Sequence, residues 1–237
     1  MQCVILAGGR GSRLGGMFGN TPKHLVPING RPFADYQLAR LIENGFTRFT
    51  YCLGFGSEKI IKYISQLDFP GVTFDYVVDG ANLVGTGGAL RRALDANLLD
   101  EIFAVSYGDT LLSFELQQLR NAMSFDSDMV LAVLRNNDLY GLSNTLVRDG
   151  KVILYSKVSI TGVEFSYIDY GISIIKRDVI SKMVPIDQNY DLSEIVKYLA
   201  SISRISAHEV SERFFEVGSP EAIRETEEHL RNSAQKC

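Results

Sequence analysis

Residues 2–7, QCVILA, form a continuous apolar run of strand length, the pattern of a strand covered on both faces. The period then changes. In FADYQLARLIEN (33–44), Phe33, Tyr36, Leu38, Leu41 and Ile42 recur at helical spacing, and Gly45 follows as a C′ stop. RFTYCLG (48–54) predicts a second strand, and SEKIIKYISQL (57–67) a second helix with Ser57 as its N-cap. VTFDYVV (72–78) predicts a third strand, GALRRALDANL (88–98) a third helix and EIFAVSY (101–107) a fourth strand. Such alternation with short connections predicts a parallel sheet with helices on both faces. Ligands sit beyond the carboxyl ends of the strands in such sheets. The loops at 8–16, 79–88 and 108–110 therefore fall on one edge.

The second half reads differently. Strand-like runs at 128–134, 143–149, 151–157 and 166–176 follow one another, with the tight-turn signal RDG at 148–150. Helices are expected at about 177–184 and 191–201, then the runs RISAHEV and RFFEVG, then a helix from about Pro220 to Arg231. This pattern predicts a mixed sheet with a small antiparallel lobe against the first half. No repeat or linker divides the chain, so residues 1–237 are expected to form one domain, with halves at about 1–125 and 126–237.

Composition narrows the class. A net charge of −4 gives no reason to expect nucleic acid or an anionic membrane as partner, so any anion must be met by local positive charge. No apolar run reaches the ~20 residues of a membrane span. The start MQCVIL lacks a basic n-region, so no signal peptide is read and a cytoplasmic location is expected. Three cysteines, Cys3, Cys52 and Cys237, and three scattered histidines offer neither a disulfide framework nor metal-ligand spacing.

The chemistry concentrates after the first strand. Five glycines fall between Gly8 and Gly16, with Arg10 and Arg13 among them and Pro22-Lys23 beyond. A dinucleotide fingerprint fails because Leu14 stands at its third small position, and a P-loop fails because Met17 and Phe18 follow Gly16. Glycine amides can still approach a polyphosphate closely, and Arg13 and Lys23 add cationic groups for charge developing on phosphoryl oxygens.

LAGGRGSRL (6–14) followed by TPKHLVPINGRPF (21–33) resembles the signature of the sugar-phosphate nucleotidyltransferases, L-A-G-G-x-G-S/T-R-L and then P-K-P-L-x-P. His24 stands where the second proline is usual. LVGTGGAL (83–90), SYGDT (106–110), LYGLSNTLVRDGKVILYSK (139–157), YIDYGISIIKRDV (167–179) and FFEVGSPEAI (214–223) resemble later blocks of the family in the same order. Short single-domain members, including guanylyltransferases acting on D-glycero-D-manno-heptose 1-phosphate, are the most similar in layout.

The resemblance implies a nucleotide-diphospho-sugar transferase fold: α/β, Rossmann-like, a mostly parallel mixed sheet with a nucleotide half and a sugar-phosphate half. It implies transfer of a nucleotidyl group from an NTP to a sugar 1-phosphate with release of pyrophosphate, helped by Mg²⁺. Leu6, Ala7, Gly8, Gly9, Gly11 and Ser12 would meet the nucleotide, with Gly85 and Thr86 on the base-reading loop. Arg13 and Lys23 would grip the triphosphate, and Asp109 would bind the metal with Glu216, where aspartate is usual, as second ligand. Lys157 would hold the sugar phosphate, and Gly87, Gly141, Tyr170 and Gly171 would border the sugar. Ser156 replaces the usual sugar-binding glutamate, and Asp169 stands close by as a substitute.

For the base, Asp79 precedes the glycine loop where pyrimidine-specific relatives present glutamine. A carboxylate, acceptor-only when ionised, matches the N1–H and N2–H₂ edge of guanine and suits uracil poorly. GTP is thus favoured, with UTP or CTP, a phosphocholine-like acceptor and a non-catalytic binding subunit as open alternatives. The expected partners are the NTP and a sugar 1-phosphate, without nucleic acid or membrane; a homodimer is left open.

Overall fold

The computed structural model describes residues 1–9, 18–80, 84–136 and 138–234. Its central strand β1 (Gln2–Ala7) explains its own composition: Cys3 and Ile5 enter the core on one face of the sheet, Val4 and Leu6 the core on the other. Successive strand side chains point to opposite faces, so a strand covered twice must be apolar throughout.

β1 lies within a nine-stranded sheet. On one side it pairs in parallel with β4 (Arg48–Leu53), which pairs in parallel with β5 (Thr73–Val78) at the edge. On the other it pairs in parallel with β6 (Ile102–Tyr107). β11 (Tyr167–Lys176) follows antiparallel to β6 and to β8 (Met129–Arg135). β8 and β12 (Ile205–Val210) are parallel, and the hairpin of β9 (Thr145–Arg148) and β10 (Lys151–Tyr155) completes the far edge. The hairpin turns at Asp149 and Gly150, both at positive φ (50° and 71°), as a two-residue turn matched to strand twist requires. The antiparallel portion is thus continuous with the main sheet.

Helices α1 (Phe33–Glu43), α2 (Ser57–Ile64) and α4 (Leu116–Asn121) cover one face through Leu38, Leu41, Ile60, Ile64, Leu116 and Leu119. Helices α3 (Gly85–Asp95), α5 (Arg177–Met183) and α6 (Leu192–Ser201) cover the other through Leu90, Ala93, Val179, Ile180, Ile195 and Leu199. A third cluster, Val26, Ile28, Phe33, Leu111, Val217 and Ile223, lies beneath α7 (Pro220–Ala234). It unites the ribbon β2 (Pro27–Ile28)–β3 (Arg31–Pro32) with the short pair β7 (Thr110–Leu111)–β13 (Phe215–Glu216). No helix among the described residues is long and apolar enough to cross a membrane.

Two local expectations change. Ser57 is the first residue of α2 rather than its cap; Gly56, at φ 68°, holds that place without a side-chain bond. α3 begins at Gly85, so the glycine-rich stretch is its first turn. The reason is a neighbouring segment that only glycines admit. The Gly87 and Gly88 amides both donate to the Tyr190 carbonyl (2.8 and 3.0 Å), and the Tyr190 amide donates to Val84 O (2.8 Å). Gly85 has φ 75°, and a Cβ there would stand 2.5 Å from Tyr190 O. Gly85→Ala is therefore expected to cost about 2–3 kcal/mol from left-handed strain and overpacking. For a chain of this size the melting temperature should fall by about 5–10 °C, measured by differential scanning calorimetry. An unchanged melting temperature would contradict this packing.

Candidate active site

A cleft opens beyond the carboxyl ends of β1, β4, β5 and β6. Leu6, Ala7, Gly8 and Gly9 line it from the end of β1, Cys52 from β4, Asp79 from β5, and Tyr107, Gly108 and Asp109 from β6 and its turn. Gly85, Thr86 and Ala89 close it from α3, and Lys23 and His24 from a 3-10 turn at Lys23–Leu25. Close approach bears on two of the glycines: a Cβ on Gly8 would meet the Gly54 amide nitrogen at a tight 3.2 Å, and one on Gly108 the Ala7 Cβ at 2.9 Å, whereas one on Gly9 would meet nothing within 4 Å. Gly11, Ser12 and Arg13, expected to meet the nucleotide, lie outside the described residues.

The Asp109 turn is held at every carbonyl. Gln37 Nε2 on α1 donates to Tyr107 O (2.8 Å) and Thr110 O (2.7 Å). His24 Nδ1 meets Gly108 O at 2.8 Å, and the Val217 amide donates to Asp109 O at 3.0 Å. The Asp109 carboxylate faces the cleft, where Lys23 Nζ binds its Oδ2 at 2.7 Å. The Lys23 side chain is 15% exposed and that of Asp109 29%, so this pair is better shielded than a surface salt bridge.

His24 is buried at 2% exposure. The Gly108 carbonyl can only accept, so Nδ1 carries the proton, and Nε2 accepts from the Tyr51 hydroxyl at 3.3 Å. Burial lowers its pKa from 6.5 to about 4.

Asp79 is 5% exposed, and its Oδ1 is buried with no hydrogen-bond partner among the described residues. Burial raises its pKa, against the opposing pull of the Arg92 guanidinium and the Val84 amide. Arg92 also donates to the Asp79 and Val78 carbonyls, tying α3 to the end of β5. Nothing in the sequence signals these bonds.

A second group adjoins the cleft through Tyr107. Lys157 Nζ binds both oxygens of Asp191 (2.9 and 2.9 Å), and Asp191 caps α6 by accepting from Ser193 N. The next amide, Leu192 N, donates to Thr86 Oγ1 at 2.8 Å, which links this group to the cleft wall. Asp169 accepts from the Gly171 amide (3.0 Å) and, at 3.5 Å, from the Tyr155 hydroxyl. Burial raises its pKa to about 6, while the Gly171 amide, Tyr155 and Lys157 pull it down. Asn144 accepts from the Asp169 amide through its side chain (2.9 Å) and from the Ser156 amide through its carbonyl (2.9 Å), joining the strand that bears Asp169 to the segment after β10 that bears Lys157.

The expected residues thus divide. Lys23, Asp109, Asp79, Gly8, Gly9, Gly85 and Thr86 share one cleft; Lys157, Asp169 and Gly171 stand in the adjoining group. Tyr170 does not border it. It is 1% exposed in the core of the opposite face, where its hydroxyl donates to Ser113 O. Gly87 is likewise buried, and its amide is spent on Tyr190. Gly141 lies in an exposed turn held by Asn136 Nδ2 (2.7 Å), and no hydrogen bond joins it to Lys157 or Asp169 among the described residues. Glu216 pairs in backbone register with Thr110, beside Asp109, and its carboxylate lies against Gly218.

No group of three or more His, Cys, Asp or Glu among the described residues could hold a metal alone. A carboxylate beside a phosphate-sized cleft nonetheless suits Mg²⁺, which takes one or two carboxylates and fills its shell with phosphate oxygens and water.

Residues 3–172 match the MobA-like NTP transferase domain. The chain is 28% identical over 158 residues to the D-glycero-alpha-D-manno-heptose 1-phosphate guanylyltransferase of Aneurinibacillus thermoaerophilus, covering 66% of this chain and 67% of that one. It is 26% identical over 223 residues to the Campylobacter jejuni protein of the same name, covering 93% and 96%. The crystal structure of HddC from Yersinia pseudotuberculosis complexed with GMP-PN superposes with a TM-score of 0.80 at 24% identity, covering 97% of this chain and 99% of that one. Other matches carry other names, among them UTP–glucose-1-phosphate uridylyltransferase and inositol-1-phosphate CTP transferase.

The buried imidazole predicts a pH effect. Folded, His24 stays neutral down to about pH 4, whereas unfolded it takes a proton near 6.5. Between these values the unfolded chain binds more protons, so stability falls as pH is lowered. The effect fades to nothing about one pH unit above 6.5 and reaches about 3 kcal/mol by pH 4. Urea unfolding of wild type and His24→Asn at pH 7, 5.5 and 4 should show the wild type losing that much more. Parallel pH curves would contradict the assignment.

Proposed function

The chain belongs to the MobA-like NTP transferase family and is a nucleotidyltransferase; we propose that it joins the GMP moiety of GTP to a sugar 1-phosphate, with D-glycero-D-manno-heptose 1-phosphate or a related manno-sugar as acceptor. A non-bridging phosphate oxygen of the acceptor attacks the α-phosphorus. The α–β bridging oxygen leaves with its electron pair on pyrophosphate, and a GDP-sugar results. The nucleophile is already an anion, so no general base is needed. The protein's work is to bring two polyanions together, align them and balance the charge that shifts onto the leaving group.

The carrying observation is the buried Asp79 oxygen, unpaired among the described residues, in the same cleft as Lys23 and Asp109. A desolvated carboxylate oxygen without a donor is costly, and the guanine edge supplies two N–H groups to the carboxylate. Uracil presents one N–H between two carbonyls, which would face the carboxylate in repulsion. The guanylyltransferase names of two relatives support the same base.

Lys23 grips the β- and γ-phosphates and stabilises the departing pyrophosphate, and Arg13, by the family resemblance, shares that role. Asp109, with Glu216 next to it, holds Mg²⁺, which neutralises phosphate charge when bound. Lys157 takes the acceptor phosphate, released from Asp191 by the stronger anion. Asp169 accepts from sugar hydroxyls in place of the usual glutamate. Above its pKa of about 6 it is ionised and acceptor-only.

Pyrophosphate release measured across GTP, UTP, CTP and dTTP with heptose, mannose and glucose 1-phosphates tests the reading. Release should be fastest with GTP and a manno-configured acceptor. Silence in all combinations, from folded protein that binds NTP, would leave a binding subunit.

Lys23→Ala and Arg13→Ala should each lower kcat by about 10²-fold or more, the scale of losing one preorganised donor, with the melting temperature little changed. Near-normal turnover in either would refute that residue's role.

Asp79→Asn sets an amide N–H against a guanine N–H. It should cost about 1.5–3 kcal/mol, or about 10–150-fold in kcat/KM for GTP, and much less for UTP. An unchanged GTP:UTP ratio would mean that backbone groups read the base.

A further inference from the structure

His24 breaks the family pattern at one position, and the cleft shows what the replacement offers. A proline there would stiffen the chain after Lys23 but has no N–H to give. The imidazole adds a donor directed across the cleft wall, from the 3-10 turn of Lys23–Leu25 to the carbonyl of Gly108 at 2.8 Å. That carbonyl belongs to the residue before Asp109. The residue before His24 is Lys23, and the two flanking side chains are paired at 2.7 Å. The bond therefore closes a small ring: Lys23, His24, Gly108, Asp109 and back to Lys23.

The ring is rigid at its other atoms. Gly108 N donates to Leu6 O at 2.9 Å, and the acceptor-only Gly108 carbonyl sets the tautomer in which the Tyr51 hydroxyl donates to Nε2 at 3.3 Å. Tyr51 and Tyr63 stand edge-on to the imidazole, at centroid distances of 5.3 and 6.5 Å.

We propose that His24 is a positioning residue: its Nδ1–H bond to Gly108 locks the lysine turn to the aspartate turn, so that the turns bearing the phosphate-gripping cation and the metal-binding carboxylate keep their spacing when substrate parts the two side chains. This rests on the roles assigned to Lys23 and Asp109 under the proposed function. The lock matters most after binding, since the direct ion pair is then exchanged for contacts with phosphate and metal. The covalent chain alone does not fix the separation of two turns 86 residues apart. Supporting groups of this kind typically affect activity by about 10–100-fold.

Two variants separate positioning from packing. His24→Leu keeps apolar bulk and loses the donor. His24→Asn keeps an N–H at the place of Nδ1. With GTP and the best acceptor, His24→Leu should lose about 10–100-fold in kcat with nucleotide KM within about threefold, and His24→Asn should recover to within about threefold of wild type. Hydrogen exchange, read by mass spectrometry without substrate, should show the 22–26 and 107–110 segments losing protection together in His24→Leu and keeping it in His24→Asn. Unchanged kcat in His24→Leu, or an asparagine variant as impaired as the leucine one, overturns the proposal.

If the wild type proves inactive with every pair, the functional reading fails while the exchange result still decides the lock. Should His24→Leu not fold, ¹⁵N-histidine NMR of the wild type decides: a neutral Nδ1–H imidazole supports the lock, and the Nε2–H tautomer overturns it.

Discussion

The site depends on one constraint, the pairing of every carbonyl in the turn from Tyr107 to Thr110. Buried carbonyls must be satisfied, and the four of this turn, which joins β6 to β7, are met by other elements. Gln37 on α1 takes two, His24 on the 3-10 turn takes one, and Val217 after β13 takes the last. Elements from both ends of the chain therefore converge on four residues. The third apolar cluster under α7 serves the same end, because it packs Val26, Leu111 and Val217 together and so holds the donors in place. The Asp109 side chain takes no part in these carbonyl bonds, and on the proposed reading it exchanges Lys23 for a metal ion.

Charge in the cleft is local. The chain carries a net −4, so no long-range field draws a polyanion inward. Lys23 and Asp109 instead neutralise one another in the resting state. On the proposed reading, a nucleotide with its metal replaces one ion pair by two, phosphate on lysine and cation on aspartate, with little change in buried charge. Asp79 differs because one of its oxygens has no partner among the described residues. Such a group is tolerated where a ligand completes it, which is why the guanine reading rests there and not on Asp109 or Lys23.

Much of this was legible in the sequence, for physical reasons that vary by element. The two-sided burial of β1 follows from its unbroken apolar run, and the ligand edge follows from where the glycines fall. The period of two also contained a warning that the family resemblance overrode. Neighbours in a strand face opposite ways, so Asp169 and Tyr170 could not both border a sugar; Tyr170 went to the core. Gln37 and Asn144 left no signal. Each reads as an ordinary polar position in a helix or before a strand, and its partners lie 73 and 25 residues away. His24 was visible as a departure from pattern, but its function required the Gly108 carbonyl to be seen beside it. The glycine-loop motif with Arg13 was plain in sequence, although those residues lie outside the described ones.

The central claim is that one cleft reads guanine with Asp79 while Lys23 and Asp109 part to receive phosphate and metal. A crystal structure with Mg²⁺ and an α,β-methylene analogue of GTP tests it most directly. The account predicts the guanine N1–H and N2–H₂ within hydrogen-bond distance of the Asp79 carboxylate, Lys23 Nζ on phosphate, and the cation on Asp109. A base seated away from Asp79, with the Lys23–Asp109 pair intact, would contradict it.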